Sequence, residues 1–195
     1  GTAMQHRDEQ LMSDLQSGAR DAMQEIFQNN KGRILNFCFG LLGNRADAED
    51  VAGEVFLAVM KYKDYYNPER TFSTWLFTIA RNQCFNHLRR RKQTASLWSN
   101  APGSDHRESW DVPDERDQTR EILAAQERAL HVRQAIDKLP YQQKEALLLK
   151  QYQGFSYAEI SQILQCSLAQ VKILIFRAKQ QLRNDLASFI REGLQ

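Results

Sequence analysis

Residues 156–182 read SYAEISQILQCSLAQVKILIFRAKQQL, and this stretch decides the fold. It contains two matches to the helix-capping pattern in which serine is followed three residues later by Glu or Gln, at Ser156 and at Ser167. Apolar residues at helical spacing follow each serine, which predicts a short helix, a tight turn at Gln165-Cys166 and a second helix. Two helices joined in this way form a helix-turn-helix, whose second helix enters the DNA major groove.

The rest of the 195-residue chain has the same helical periodicity and little β-branched alternation, which predicts an all-α protein. We expect further helices over 8–16, 19–30, 31–42, 46–62, 72–91, 121–138 and 142–152. Between 93 and 120 the chain has two prolines and little apolar periodicity, which is typical of a flexible linker. The sequence therefore predicts two small helical domains, 5–92 and 121–195, joined by an acidic linker at 93–120.

Composition and spacing argue against several classes of protein. No apolar run approaches the roughly 20 residues of a membrane-spanning helix, and no secretory sequence follows Met4, so we expect a cytoplasmic protein without membrane insertion. Cys38, Cys84 and Cys166 lack metal-site spacing and are interpreted as reduced, buried small hydrophobes. With no glycine-rich phosphate loop and no nucleophile beside a base, we expect no cofactor, no metal and no catalytic residue, and hence not an enzyme.

Charge is segregated along the chain, although the net charge is only +2. Residues 43–60 contain four acidic side chains and one arginine, whereas residues 61–92 contain eight basic and two acidic side chains. The linker reverses the sign again, with six acidic residues and three arginines. The distribution, rather than the net charge, therefore indicates a surface for nucleic acid.

The basic stretch contains an unusual helix beginning near Phe72. Its apolar stripe consists of Phe72, Trp75, Leu76 and Ile79, and its polar face consists of Thr74, Thr78, Asn82 and Arg89 with Arg81 on the flank. Hydroxyl, amide and guanidinium groups suit phosphate and base-edge contacts, but a basic helix end also complements the helix dipole in solvated helices. The preceding loop, 65–71, offers aromatic rings that either stack on an unpaired base or pack within the domain.

These segments resemble a known family. The sequences DAEDV at 47–51, EVF at 54–56, FSTWLFTIARN at 72–82 and HLRRR at 87–91 resemble region 2 of extracytoplasmic-function sigma factors. The sequences LP at 139–140, EALLL at 145–149, GFSYAEI at 154–160, VK at 171–172 and RA at 177–178 resemble region 4 of the same family. The resemblance covers nearly the whole chain, in the right order.

The resemblance implies partners and site residues. Core RNA polymerase would be bound by the acidic helix, through Asp47, Glu49, Asp50, Glu54 and Phe56. The minus-10 promoter element would be opened, and a flipped base captured, by Tyr66, Asn67, Arg70, Thr71, Arg81, Asn82, Arg89 and Arg90. The minus-35 element would be read by Ser167, Gln170, Lys172, Ile173, Phe176, Arg177 and Gln180. The linker would run through the polymerase cleft, and an anti-sigma factor would hold the protein inactive.

The second helix of the helix-turn-helix departs from the family pattern. Family members usually have Val-Lys-Ser-Arg where this chain has Val-Lys-Ile-Leu at 171–174. We predict that Leu168, Val171, Ile175, Ala178 and Leu182 point inward and that Ala169, Ile173, Phe176, Arg177 and Gln180 point outward. Three explanations are open for the outward apolar residues Ile173 and Phe176. They contact thymine methyls, or a protein partner covers them, or they belong to the core because the predicted helical phase is wrong. We favour the partner.

Two alternatives for the whole chain stay open. The first is a helix-turn-helix regulator whose N-terminal domain senses a signal or dimerises. The second is a helical interaction protein that does not bind DNA. An acidic helix followed by a basic, aromatic helix favours the sigma-factor interpretation, because a sensor domain has no need of that order.

Overall fold

The computed structural model describes residues 2–97 and 119–192. The helices in these ranges are α1 (Thr2–Gln16), α2 (Asp21–Leu42), α3 (Arg45–Tyr62), α4 (Phe72–Leu97), α5 (Thr119–Asp137), α6 (Tyr141–Gln151), α7 (Tyr157–Leu164) and α8 (Leu168–Glu192). A 3-10 helix (Lys63–Tyr65) follows α3, and no strand occurs in the described ranges. The all-α prediction is confirmed. Most of the predicted linker, including its acidic residues from 105 to 117, lies outside the described residues.

Helices α1–α4 form an N-terminal unit in which α2 packs against α1, α3 and α4. The sharp turn from α2 to α3 depends on Gly43, whose φ of 72° is accessible to glycine and whose N–H donates to the Phe39 carbonyl at 2.9 Å. Asn44 then caps α3, since its side-chain oxygen accepts from the Asp47 N–H at 2.9 Å. The turn folds the acidic helix α3 back against α2, and α3 also packs against the basic helix α4.

The predicted break between residues 30 and 31 was wrong, because α2 is continuous from Asp21 to Leu42. Asn30, which we took as a helix end, is buried inside the helix. Its side-chain amide donates to the Ile26 carbonyl at 3.0 Å and to the Asp8 carboxylate at 2.9 Å. Asn30 therefore resembled a helix end in the sequence because it is polar, whereas its side chain is buried and bonded to an acid on α1.

Helices α5–α8 form a C-terminal unit that contains the predicted helix-turn-helix. The Ser156 hydroxyl accepts from the Glu159 N–H at 3.2 Å, and the Glu159 carboxylate accepts from the Ser156 N–H at 2.7 Å. The turn falls at Gln165, which has a left-handed φ of 53°, and Ser167 caps α8 by accepting from the Gln170 N–H at 3.1 Å. Both predicted helix starts and the turn between them are confirmed.

The two units pack against each other, with α7 on α4 and α6 on α2. Buried residues of both units belong to one continuous hydrophobic cluster. Within the described part of the chain, no helix combines the length and apolar character needed to cross a bilayer.

Candidate nucleic-acid interface

The acidic side chains of α3 lie beside the basic end of α4. Asp47 accepts from Arg91 Nη1 at 2.8 Å and lies 3.5 Å from His87 Nε2, and Glu54 accepts from Arg90 Nη2 at 3.2 Å. The residues predicted to bind polymerase and those predicted to bind DNA therefore meet along one edge of the N-terminal unit. Exposed pairs of this kind contribute little stability, so they leave the charges available to other partners.

Glu49 and Asp50 are exposed one turn into α3, and Glu49 accepts from Arg45 at 2.9 Å. Asp50 and Glu49 are therefore the outermost of the predicted polymerase-binding acids, while Asp47 and Glu54 are partly covered.

Phe56, also predicted to bind polymerase, is only 6% exposed. Its ring lies edge-on against Phe27, with the centroids 4.9 Å apart. The exposed apolar groups nearby in sequence and space are Phe27, at 38%, and Leu57, at 72%. The prediction missed both, although an apolar Leu57 on the otherwise polar outer side of α3 was a readable signal.

The loop before α4 places its two tyrosines differently. Tyr66 is 4% exposed, packs against Phe72 and Trp75, and donates its hydroxyl to the Arg70 carbonyl at 3.0 Å. Burial raises the pKa of Tyr66 to about 12. The domain-packing interpretation thus holds for Tyr66 in this conformation, whereas Tyr65 is 80% exposed. Tyr65 is the aromatic side chain of this loop that is accessible to a base, and the site prediction omitted it.

The remaining loop residues are ordered by short hydrogen bonds. Asn67 accepts from the Glu69 N–H at 2.9 Å, the Arg70 N–H donates to the Asn67 carbonyl at 3.0 Å, and the hydroxyls of Thr71 and Thr74 are 2.7 Å apart. Asn67 and Arg70 remain exposed. The loop backbone therefore holds the exposed Asn67 and Arg70 next to the start of α4.

On α4, Asn82, Arg89 and Arg90 are exposed. Thr74, predicted on the same polar face, is only 2% exposed. This differs from the prediction because other helices cover α4 on several sides. Arg81 is half-buried and donates through Nε and Nη2 to the Glu145 carboxylate of the C-terminal unit, at 3.0 and 3.3 Å. Burial raises the pKa of Glu145, against the opposing effect of the Arg81 charge.

All the residues predicted to read the minus-35 element lie at the cap of α8 or on the helix itself, and all are exposed: Ser167, Gln170, Lys172, Ile173, Phe176, Arg177 and Gln180. Ile173 is 43% and Phe176 63% exposed, so neither belongs to the core, and the third explanation for these residues is excluded. The inward prediction was wrong for Leu168, which is 45% exposed at the first position of α8, and it omitted Leu174, which is buried.

The same face of α8 is basic. Lys172, Arg177 and Arg183 are exposed along it, and the sequence from 168 to 184 contains no acidic residue. Apolar Ile173 and Phe176 are thus flanked by cations one residue away on each side of the pair. Cations that position phosphates around residues able to contact bases are the usual composition of a DNA-reading helix.

The three predicted sites form two separate surfaces. The polymerase-binding and minus-10 residues share the N-terminal unit, and the minus-35 residues lie on the C-terminal unit. Cys38 and Cys84 are buried and Cys166 is partly buried. Nowhere in residues 2–97 and 119–192 do three His, Cys, Asp or Glu side chains gather as a metal site would require.

Comparison with known proteins places both units. The family model for sigma-70 region 2 matches residues 26–94, and the model for sigma-70 region 4 matches residues 130–182. The chain is 29% identical to the RNA polymerase sigma-H factor of Pseudomonas aeruginosa, over 97% of this chain and 98% of that protein. It is 32% identical to the extracytoplasmic-function sigma factor EcfG of Rhodopseudomonas palustris, over 75% of each.

Among solved structures, the fold is similar to the sigma factor RpoE of Bartonella quintana in its complex with the anti-sigma factor NepR. The TM-score is 0.69 at 20% identity, and the match covers 84% of this chain and 96% of that one.

Proposed function

From the premise that this chain belongs to the extracytoplasmic-function family of RNA polymerase sigma factors, we propose how its surfaces divide the work of promoter recognition. As an alternative sigma factor it binds core RNA polymerase and directs it to promoters. The observation that supports this division is the fold: region 2 presents an acidic helix against a basic one, and region 4 presents an exposed basic and apolar helix.

In region 2, the acidic residues Glu49, Asp50 and Glu54 bind the polymerase. The exposed apolar groups Phe27, whose ring packs on Phe56, and Leu57 bind it with them. Exposed apolar side chains rimmed by charge are typical of protein interfaces. The polymerase face is therefore α3 and the neighbouring surface of α2.

The basic helix α4 and its preceding loop bind the minus-10 element. Asn82 and Arg89 contact the DNA from α4, and Asn67 and Arg70 contact it from the loop. Tyr65 supplies the exposed ring on which an extruded base stacks, because base stacking needs an accessible aromatic face. Tyr66 acts behind it, holding the loop through its hydroxyl bond to the Arg70 backbone.

In region 4, α8 lies in the major groove at the minus-35 element. Lys172 and Arg177 contact phosphates, and Ile173 and Phe176 contact thymine methyls. We choose DNA rather than a protein as the ligand of this face because its charged residues are all cations.

Two further features belong to the proposal. An anti-sigma factor holds the protein inactive, as the RpoE structure is a complex with such an inhibitor. The protein acts in the cytoplasm as a non-catalytic subunit, since it supplies recognition surfaces while the polymerase carries out the chemistry.

The test separates promoter opening from polymerase binding. Replacing Asn82 and Arg89 with alanine should abolish melting of a promoter, detected by permanganate reactivity of unpaired thymines, while the affinity for core polymerase stays unchanged. The matched control replaces Asn36 and Arg20, an exposed amide and an exposed arginine outside the proposed site. Normal melting by the Asn82 and Arg89 variant would show that the DNA face of α4 is assigned wrongly.

A further inference from the structure

We propose that the packed arrangement of the two units is a self-inhibited resting state of this sigma factor, fastened by the ion pair between Arg81 of region 2 and Glu145 of region 4. The proposal rests on the function proposed above and adds a control that needs no second protein.

The ion pair is the central contact. Glu145 on α6 is 1% exposed, and both of its oxygens accept hydrogen bonds from the Arg81 guanidinium. A buried charge is costly unless its partner stays in place, so losing either side chain favours separation of the units. The same contact removes Arg81 from the DNA-binding face of α4.

Two arginines cross the boundary in opposite directions. Arg33 of α2 donates to Gln153 at 3.2 Å and lies 5.9 Å from the centre of the Phe155 ring. Arg133 of α5 lies 3.9 Å from the centre of the Phe39 ring and donates to the Phe39 carbonyl at 2.8 Å. Cation–π contacts in partly buried positions add both affinity and fixed geometry to the boundary.

The apolar part of the boundary is fitted closely. A Cβ atom placed on Gly40 of α2 would lie 2.7 Å from Leu148 Cδ1 of α6, nearer than any normal contact. Phe77 of α4 meets Phe155 edge-on, with the ring centroids 5.0 Å apart. Such packing between the units is the packing of a protein interior.

The packed state does not fit a promoter. Elements centred at minus 10 and minus 35 are about 25 base pairs apart, which is roughly 85 Å along B-DNA. Domains of this size are about 30 Å across, so two in contact reach roughly 60 Å at most. The units must separate before both elements are bound, so a polymerase that carries this sigma factor to both elements binds its open form. Every contact at the boundary opposes that separation.

The experiment uses one opening variant in each unit, and neither substituted residue is itself a proposed DNA or polymerase contact. Glu145→Lys places a cation opposite Arg81, and Gly40→Leu drives a side chain into Leu148. The matched controls are Glu127→Lys, an exposed acid on α5, and Gly32→Leu, an open position on α2. Circular dichroism must show native helicity in each full-length chain.

Two measurements are made without any inhibitor. Small-angle scattering should give a radius of gyration near that of a compact chain, about 16 Å, for the wild type and both controls, and a value several Å larger for both opening variants. The affinity of core polymerase for the opening variants should rise at least tenfold, as expected if the open form is below about a tenth of the wild-type population.

An extended wild type, or opening variants that keep its radius, would overturn the proposal. Expanded variants that bind core polymerase no better than the wild type would also overturn it, while leaving the proposed function intact. If no chain binds the polymerase, even when expanded, the proposed function itself has failed and the self-inhibition fails with it.

Discussion

On the DNA-reading face of α8, the side chain of Ile173 alone changes which base contacts are possible. Family members usually have serine at this position, and isoleucine replaces its hydrogen-bonding hydroxyl with an apolar side chain. Because Ile173 is exposed and Lys172 and Arg177 flank it, the apolar contact available on DNA is a thymine methyl.

We therefore predict that the minus-35 element contains a thymine whose methyl is bound by Ile173. Replacing that thymine with deoxyuridine removes one methyl group, worth about 0.8 kcal/mol when buried, so wild-type affinity should fall roughly fourfold. Ile173→Ser should bind both DNAs equally weakly, and Leu130→Ser, at an exposed position on α5, should behave as the wild type. Equal binding of both DNAs by the wild type, with weaker inhibitor binding by Ile173→Ser, would identify a protein interface instead.

At single positions, the sequence alone did not predict which side chains are buried. Tyr65 and Tyr66 are adjacent and chemically identical, so composition gave no reason to prefer one. Only packing against Phe72 and Trp75 separates the buried Tyr66 from the exposed Tyr65. Contacts of this kind, between a loop and the helix that follows it, do not appear in helical periodicity.

Among the elements, helix starts were predictable and helix continuity was not. Ser156 and Ser167 predicted the starts of their helices because capping is a local interaction between residues three apart. Asn30 misled because its partner, Asp8, is 22 residues away on another helix. Local signals therefore predicted the helix-turn-helix well, whereas the long α2 required tertiary information.

The turn of the helix-turn-helix gives an element-scale prediction. Gln165 is the described non-glycine residue with a positive φ, 53°, a conformation that costs a side-chain-bearing residue about 1–2 kcal/mol. Gln165→Gly should thus leave the unfolding free energy unchanged or raise it by up to about 1 kcal/mol, because glycine relieves the strain but gains entropy when unfolded.

The matched control is Gln162→Gly, an exposed position inside α7, which should cost about 0.5–1 kcal/mol. The difference is read from thermal melts, where about 1 kcal/mol moves the midpoint of a small domain by roughly 4–8 °C. Equal losses at both positions would mean that Gln165 is not strained in the native turn.

At the scale of the molecule, the sequence indicated two domains but not that they pack together. Leu148 and Phe155 have the periodicity of ordinary core residues, and Glu145 reads as a surface acid on a helix. Their burial depends on the other unit, and a linker between two units predicts nothing about whether they touch. The charge segregation along the chain, by contrast, indicated a surface for nucleic acid, and the structure has the acidic helix α3 beside the basic end of α4.

That segregation allows a test of the whole molecule on DNA. Six cations belong to the DNA surfaces predicted from the sequence: Arg70, Arg81, Arg89, Arg90, Lys172 and Arg177. Each phosphate that a cation neutralises releases counterions and steepens the fall of affinity with salt by about 0.9 in the log–log slope. We predict that Lys172→Gln lowers the slope for holoenzyme on a forked promoter fragment by about 1 and weakens binding similarly on all sequences. Lys31→Gln, an exposed cation outside these surfaces, should leave the slope unchanged. If the two substitutions change the slope equally, or neither changes it, the basic face of α8 does not contact phosphates. That result would favour the alternative of a helical interaction protein without DNA contacts over the sigma-factor assignment.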